Sequence, residues 1–142
     1  MHFVTGGSFH GKAKWVQEHY SASRVAEGWF NGYEDASWET RDFTTSLVVL
    51  EGLEQLVKKV VEENVIGGRA ALRGKLKLWL DWEASEPDRR LVLIGTDIGK
   101  GIVPLEKENR LWRDVTGWFY QDVVMAAERA DVIWYGLPQA LK

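Results

Sequence analysis

The residues with the clearest chemical potential form a glycine-rich segment near the start of the chain. Residues 6–13 follow the pattern G-x-x-x-x-G-K, with alanine at the last position. Glycines let the backbone wrap closely around a phosphate, while successive N–H groups and a helix N-terminus hold its negative charge. The lysine of the pattern would reach the outer phosphates of a nucleotide. The segment therefore predicts a nucleotide-binding phosphate loop made of Gly6, Gly7, Ser8, Phe9, His10, Gly11, Lys12 and Ala13. The alternative is a glycine-rich turn without a ligand.

The last position of this loop departs from the usual pattern. A serine or threonine hydroxyl normally binds Mg²⁺ there, and the methyl group of Ala13 cannot do so. Two interpretations stay open. Either Ser8 or a carboxylate holds the metal through water, or metal binding is impaired and the loop binds nucleotide without chemistry.

Two acidic residues follow apolar, strand-like runs further along the chain. Glu51 comes directly after residues 47–50, where phosphate-loop proteins place an acid that holds Mg²⁺ through water. A helix N-terminus, which also favours glutamate, is the alternative explanation. Asp97 follows residues 91–96, at the strand end that faces the ligand crevice of an open α/β sheet. The predicted catalytic residues are therefore Lys12, Glu51 and Asp97, with ATP or GTP and Mg²⁺ as cofactors.

The elements that must position these residues alternate between strands and helices. Apolar runs predict strands near residues 2–5, 46–50, 91–96 and 131–134. Helical spacing predicts helices over residues 12–20, from 53 to about 67, over 69–83, and over one long later segment. Residues 21–41 are predicted to form mostly loop, with one short strand. Apolar strands separated by helices are typical of an α/β domain with a mainly parallel sheet.

Two helix faces give more specific expectations. The long later helix is predicted to bury one apolar side, consisting of Leu111, Val115, Trp118, Phe119, Val123 and Ala126. The acidic residues Glu54, Glu62 and Glu63 are predicted to form a solvated face of the helix that begins at residue 53. We draw no domain boundary, so residues 1–142 are predicted to form a single nucleotide-binding domain.

The composition excludes several classes of protein. With 18 Lys and Arg against 21 Asp and Glu, the net charge of -3 argues against a broad nucleic-acid face. Cysteine is absent, which excludes disulfides, cysteine zinc sites and a thiol nucleophile. No apolar run approaches the roughly 20 residues of a membrane span, and the first residues lack a signal-peptide pattern. We therefore expect a cytoplasmic protein. The eight tryptophans favour self-association.

Three later segments resemble one known family. Residues 95–104, GTDIGKGIVP, are similar to the N-E-V-G-x-G-I-V-P signature of the bifunctional adenosylcobinamide kinase/adenosylcobinamide-phosphate guanylyltransferase family. Residues 110–117, RLWRDVTG, resemble its R-x-F-R-D-x-x-G segment, and residues 130–142 resemble its A-D-x-V and G-x-P-x-x-L-K ending. The start of the chain also resembles the family's phosphate loop.

This resemblance implies a fold and a function. The fold is a three-layer P-loop NTPase-like α/β domain, related to recombinase-type ATPases and assembled as a trimer. The function is phosphorylation of the small molecule adenosylcobinamide, followed by transfer of GMP from GTP through a covalent guanylyl-histidine, in cobalamin biosynthesis. The resemblance also makes Lys100, Arg113 and Asp114 candidate phosphate or substrate contacts.

The histidines depart from the family pattern. The guanylylated histidine of the family lies after the phosphate-loop helix, in a segment ending W-x-T-x-E. Residues 38–40 mark that ending here, but no histidine precedes it in the segment. The chain has only His2, His10 and His19. We therefore expect kinase activity with weak or absent guanylyl transfer, unless His10 takes over as the nucleophile. The alternative is a catalytically impaired nucleotide-binding member of the family.

Overall fold

The chain folds around one six-stranded sheet in a computed structural model that describes residues 1–99 and 106–142. The strands are β1 His2–Gly6, β2 Trp29–Asn31, β3 Leu47–Glu51, β4 Arg90–Thr96, β5 Arg129–Trp134 and β6 Leu137–Ala140. The α-helices are α1 Lys12–Tyr20, α2 Leu53–Glu63, α3 Gly68–Ala84 and α4 Lys107–Ala126, and a short 3₁₀ helix spans Thr40–Asp42.

The strand order is β2-β3-β4-β1-β5-β6. All neighbouring pairs are parallel except β5 and β6, which pair antiparallel. The carboxyl ends of five parallel strands therefore meet at one edge of the sheet, where open α/β proteins bind their ligands. This arrangement confirms the predicted α/β, P-loop NTPase-like fold with a mainly parallel sheet.

Helices cover both faces of the sheet because its buried strands are apolar on both sides. One face, which includes Phe3, Leu50 and Leu93, packs against α2, α3 and α4 in the larger core. The opposite face, which includes Val4 and Ile94, packs against α1 in a smaller cluster. Burial on both sides explains why these strands read as continuous apolar runs rather than as alternating patterns.

Two helix predictions are wrong. The second helix ends at Glu63 rather than near residue 67, because Asn64 leaves helical geometry and its side chain donates to the carbonyl of Val60. On α4, Trp118 is 46% exposed, whereas Phe119 is fully buried. Adjacent helical residues point in different directions, so only one of these two rings can enter the core. Ala126 is likewise exposed, and the residue after it is buried instead.

No helix within the described ranges is long and apolar enough to cross a membrane.

Candidate functional site

A cleft of about 430 Å³ opens at the carboxyl ends of the central strands. The phosphate loop forms one wall, and the ends of β3 and β4 form its floor. The residues that line it are Ser8, Phe9, Gly11, Lys12, Ala13, Lys14, Arg24, Tyr33, Glu51, Ile94 and Thr96. Most of the predicted loop residues therefore border a single concave site.

The backbone of the loop has the geometry for which its glycines are needed. Gly6 has a φ of +149°, and a Cβ there would lie 2.5 Å from the carbonyl oxygen of Ile133. Gly11 caps the N-terminus of α1 with a φ of +87°. Phe9 adopts a left-handed φ of 62° and is fully exposed. Such strain in a non-glycine residue is concentrated at functional turns.

Lys12 is a buried cation at the start of α1. Its Nζ donates to the carbonyl of Gly7 at 2.8 Å, so the side chain folds back over the loop. Burial lowers the pKa of Lys12, and the nearby carboxylates of Glu54 and Glu51 partly oppose that shift. A desolvated ammonium beside backbone N–H groups is suited to binding an anion such as a phosphate.

Glu51 lies in the cleft as predicted, but its carboxylate already has protein partners. Arg24 donates to both of its oxygens, at 2.9 and 2.8 Å, and the indole of Trp29 donates to Oε1 at 3.0 Å. The guanidinium neutralises the charge that Mg²⁺ would need, and Ala13 has no hydroxyl to offer. Within the described ranges, no group of three acidic or histidine side chains could hold a metal ion. While Arg24 is in place, these residues do not fit a metal held on Glu51.

Glu54 is a second buried carboxylate at this end of the sheet, and the prediction that it is solvated is wrong. It is 2% exposed. Its Oε1 accepts from the backbone N–H of Thr96 at 3.0 Å, and its Oε2 accepts from the hydroxyl of Tyr33. The first turn of α2 places Glu54 against the end of β4, which is a contact between residues 42 positions apart. The spacing Glu51-x-x-Glu54 after a buried strand is the only sequence signal for it.

Three other predicted contacts, Asp97, Arg113 and Asp114, lie outside the lining of the cleft. The backbone N–H of Asp97 donates to the carbonyl of Gly6 at 2.9 Å, and its side chain accepts from the N–H of Gly99. Arg113 pairs with its neighbour Asp114 at 2.9 Å on α4. Lys100 lies outside the described residues. The roles assigned to these four predicted residues stay predictions.

None of the three histidines lines the cleft. The ring of His10 stacks on Tyr135 at 4.8 Å, with an interplanar angle of 26°. The carbonyl of His10 accepts from the N–H of Gly136 at 2.8 Å. These two contacts tie the phosphate loop to the turn between β5 and β6. His2 is buried at the opposite edge of the sheet, and His19 stacks on Trp15.

The fold and the cleft together define the class of protein. A parallel sheet, a glycine-rich loop between β1 and α1, and a lysine at the helix N-terminus are the features of the phosphate-loop NTPase-like fold. Within that class, residues 33–141 match the family described as "Cobinamide kinase / cobinamide phosphate guanyltransferase". The match covers more than half of the chain, and the chain belongs to this family.

One relative has a named role. The chain is 36% identical over 53 residues to the bifunctional adenosylcobalamin biosynthesis protein CobP of Pseudomonas aeruginosa strain PAO1. The aligned segment covers 37% of this chain and 31% of that protein. The chain therefore matches about a third of the length of this relative. These findings confirm the family resemblance.

Proposed function

We propose that the chain is a kinase that transfers a phosphoryl group from ATP or GTP to the aminopropanol hydroxyl of adenosylcobinamide, in cobalamin biosynthesis. The observation that carries the proposal is the phosphate loop closing one side of the cleft, with the buried ammonium of Lys12 at its base. Membership of the cobinamide kinase family supports the choice of acceptor.

The catalytic role of the chain in this reaction is positioning and charge stabilisation. Phosphoryl transfer needs little covalent chemistry from a protein, so loop N–H groups and Lys12 would stabilise the negative charge of the transferred group. We propose that Mg²⁺ enters as part of the magnesium–nucleotide substrate, because Glu51 and Glu54 already accept hydrogen bonds from protein donors. Asp97, Lys100, Arg113 and Asp114 stay candidates for contacts with the acceptor.

We also propose that guanylyl transfer is weak or absent. A guanylyl-histidine needs an imidazole nitrogen facing the α-phosphate. His10 is the one histidine of the phosphate loop, and its ring is held by Tyr135 away from the cleft lining. The protein should therefore carry no label after incubation with α-labelled GTP and denaturation. A stoichiometric acid-labile adduct that is lost in His10→Ala would contradict this proposal.

A second candidate function is nucleotide binding without chemistry. Two observations favour it: Ala13 lacks the metal-binding hydroxyl, and Arg24 already neutralises Glu51. Incubation with adenosylcobinamide and γ-labelled ATP or GTP separates the two functions. The kinase proposal predicts a labelled corrinoid phosphate from wild type, whereas the binding function predicts tight nucleotide binding with no labelled corrinoid.

The organisation of the protein in solution follows the family resemblance. We propose that residues 1–142 act as one cytoplasmic nucleotide-binding domain and self-associate as a trimer. Large exposed apolar side chains, including Phe9, Trp118 and Tyr135, support self-association. Light scattering at micromolar concentration should give a mass three times that of the chain, and a monomer mass would contradict the proposal.

A further inference from the structure

Tyr33 lines the cleft and is hydrogen-bonded through its hydroxyl to the buried carboxylate of Glu54. It follows β2, where the close approach of Gly32 to Glu51 brings the edge strand against the end of β3. The N–H of Tyr33 donates to the side chain of Asn31 at 3.0 Å, which fixes the turn. The ring is half-exposed and lines the cleft, while its hydroxyl donates to Glu54.

The Tyr33 hydroxyl has a defined direction of hydrogen bonding. Its proton lies toward Oε2 of Glu54, and its oxygen is 3.4 Å from the hydroxyl of Thr96. Burial, together with the hydrogen bond to Glu54, raises the pKa of Tyr33 well above its usual range. The phenol therefore stays protonated at neutral pH and cannot itself be the final proton acceptor. Its remaining lone pair can accept a proton only as its own proton leaves.

Glu54 is placed to receive that proton. Its Oε1 is fixed by the N–H of Thr96, so the carboxylate is held with Oε2 toward the tyrosine. Lys12 is the cation that faces Glu54, and the charge of Glu54 acts more strongly on Lys12 than that of Glu51 does. Burial and the nearby charge of Glu54 raise the pKa of Tyr120 of α4, whose hydroxyl donates to the carbonyl of Thr96. Tyr33 and Lys12 therefore line the same cleft, and Glu54 lies behind the Tyr33 hydroxyl.

We propose that Tyr33 and Glu54 form a proton relay for the acceptor hydroxyl in the phosphoryl transfer; this rests on the proposed kinase function. The acceptor oxygen forms a bond to the γ-phosphorus as the bond from that phosphorus to the β,γ-bridging oxygen breaks, and the nucleoside diphosphate leaves. The acceptor proton passes to Oη of Tyr33 as the tyrosine proton passes to Oε2 of Glu54. After the products leave, the proton returns from Glu54 through the Tyr33 hydroxyl to water in the cleft, because Glu54 itself is buried. Tyr33 is a catalytic residue in this scheme, and Glu54 is a positioning residue that acts through it.

Two substitutions test the relay while preserving the shape of the site. Tyr33→Phe keeps the ring and removes the hydroxyl. Glu54→Gln keeps an amide oxygen to accept from the N–H of Thr96 but places an NH₂ group, which is a donor, toward the Tyr33 hydroxyl. Each should lower kcat for adenosylcobinamide phosphorylation by about a hundredfold or more, the usual range for losing acid–base catalysis. In Tyr33→Phe, nucleotide affinity should change by less than about twofold, because the missing hydroxyl acts in the transition state rather than in nucleotide binding.

The pH profile separates a relay from a structural role. In wild type, kcat should fall toward acid pH, because a relay needs an unprotonated final acceptor, and this acidic limb should be absent in Glu54→Gln. Tyr20→Phe and Glu83→Gln are matched controls. The hydroxyl of Tyr20 is hydrogen-bonded to the ring of His2, and Glu83 accepts from the N–H of Leu91. Both contacts lie at the amino end of the sheet, away from the cleft. Both controls should retain the wild-type kcat and its acidic limb.

The outcomes distinguish the relay from the function on which it rests. If wild type phosphorylates adenosylcobinamide and Tyr33→Phe does so at an equal rate, the relay is wrong and the kinase function stands. If wild type transfers no phosphate, the kinase function is wrong and the relay falls with it. A kcat loss in Tyr33→Phe with unchanged nucleotide affinity, together with loss of the acidic limb in Glu54→Gln, supports both.

Discussion

The two ends of the parallel sheet each bury carboxylates among polar side chains, but they pair their charges differently. At the amino end, Asp131 accepts from Arg129 at 2.8 Å and lies 2.7 Å from Nε2 of His2, whose other ring nitrogen lies 2.6 Å from the Tyr20 hydroxyl. At the carboxyl end, Lys12 donates to a backbone carbonyl rather than to a carboxylate, and the side chains border an open cleft.

The difference separates a cluster that stabilises the fold from one that can bind a ligand. Polar groups that satisfy one another stabilise the native state, because removing one partner leaves the other buried and uncompensated. A buried cation without a carboxylate partner is destabilising until an anion arrives. Substitutions at the amino end should therefore reduce stability, whereas substitutions at the carboxyl end should reduce function.

The largest expected effect is that of Asp131→Ala at the amino end. The substitution removes two hydrogen bonds of the buried Asp131 carboxylate, with His2 and Arg129. Hydrogen bonds to a charged group contribute about 1.5–3 kcal/mol each, so the unfolding free energy should fall by about 3 kcal/mol or more. Urea denaturation measures the loss, with exposed Asp88→Ala as the control that should stay near wild type. A change of less than about 1 kcal/mol would show that the amino-end cluster is not a stabilising network.

The next effect is that of Lys12→Ala at the carboxyl end. Loss of the ammonium should lower phosphoryl transfer by about 10²–10³-fold, the range for removing one group that stabilises transition-state charge. The unfolding free energy should not fall, because a buried cation has been removed. Calorimetry with ATP and GTP should also show weaker binding, whereas exposed Lys77→Ala should bind as wild type. Unchanged nucleotide affinity in Lys12→Ala would contradict the assignment of the phosphate loop.

Arg24→Gln tests whether the Arg24–Glu51 pair mainly stabilises the fold, like the cluster at the amino end, or mainly serves the cleft at the carboxyl end. Arg24 is 46% exposed at its side chain, whereas Glu51 is buried. Removing the bidentate guanidinium should lower the unfolding free energy by about 2 kcal/mol, which is less than the effect of Asp131→Ala. A loss as large as that of Asp131→Ala would place the Arg24–Glu51 pair among the stabilising networks.

The smallest expected effect is the pH dependence that His2 gives to stability. Burial lowers the pKa of His2 below its ordinary value of 6.5, although Asp131 opposes the shift. The unfolded chain therefore binds the proton more readily than the native state, so stability should fall as pH drops below about 6.5. Urea denaturation between about pH 5 and 8 measures this slope. Stability that rises as the pH falls through this range would contradict the assigned direction.

The strands and the glycine-rich loop between β1 and α1 could be predicted because their signals are local. Apolar runs and the glycine–lysine pattern located β1, α1, β3 and β4 to within a residue or two. β6 was not predicted, because Leu137–Ala140 is an exposed edge strand that contains Pro138 and has no apolar pattern. The interior side of α4 was misassigned at Trp118, where two adjacent rings compete for one core position.

The cleft itself was only partly predictable. Glu51 and Lys12 stand in recognisable patterns, but Arg24, Tyr33 and Glu54 acquire their roles through contacts between residues that are distant in the sequence. A glutamate in the first turn of an amphipathic helix gives no sign that the next strand will cover it. Such residues are located by the packing of the fold rather than by local composition.

The measurement that tests the account most directly is single-turnover transfer to adenosylcobinamide from GTP and, separately, from ATP, each labelled at both the α and γ positions. We expect the γ-label to appear in a corrinoid phosphate, the α-label to stay with the released nucleotide, and Lys12→Ala to form the labelled corrinoid about 10²–10³-fold more slowly. Wild type that leaves the γ-label on nucleotide and inorganic phosphate with both donors, and forms no labelled corrinoid, would contradict the central claim.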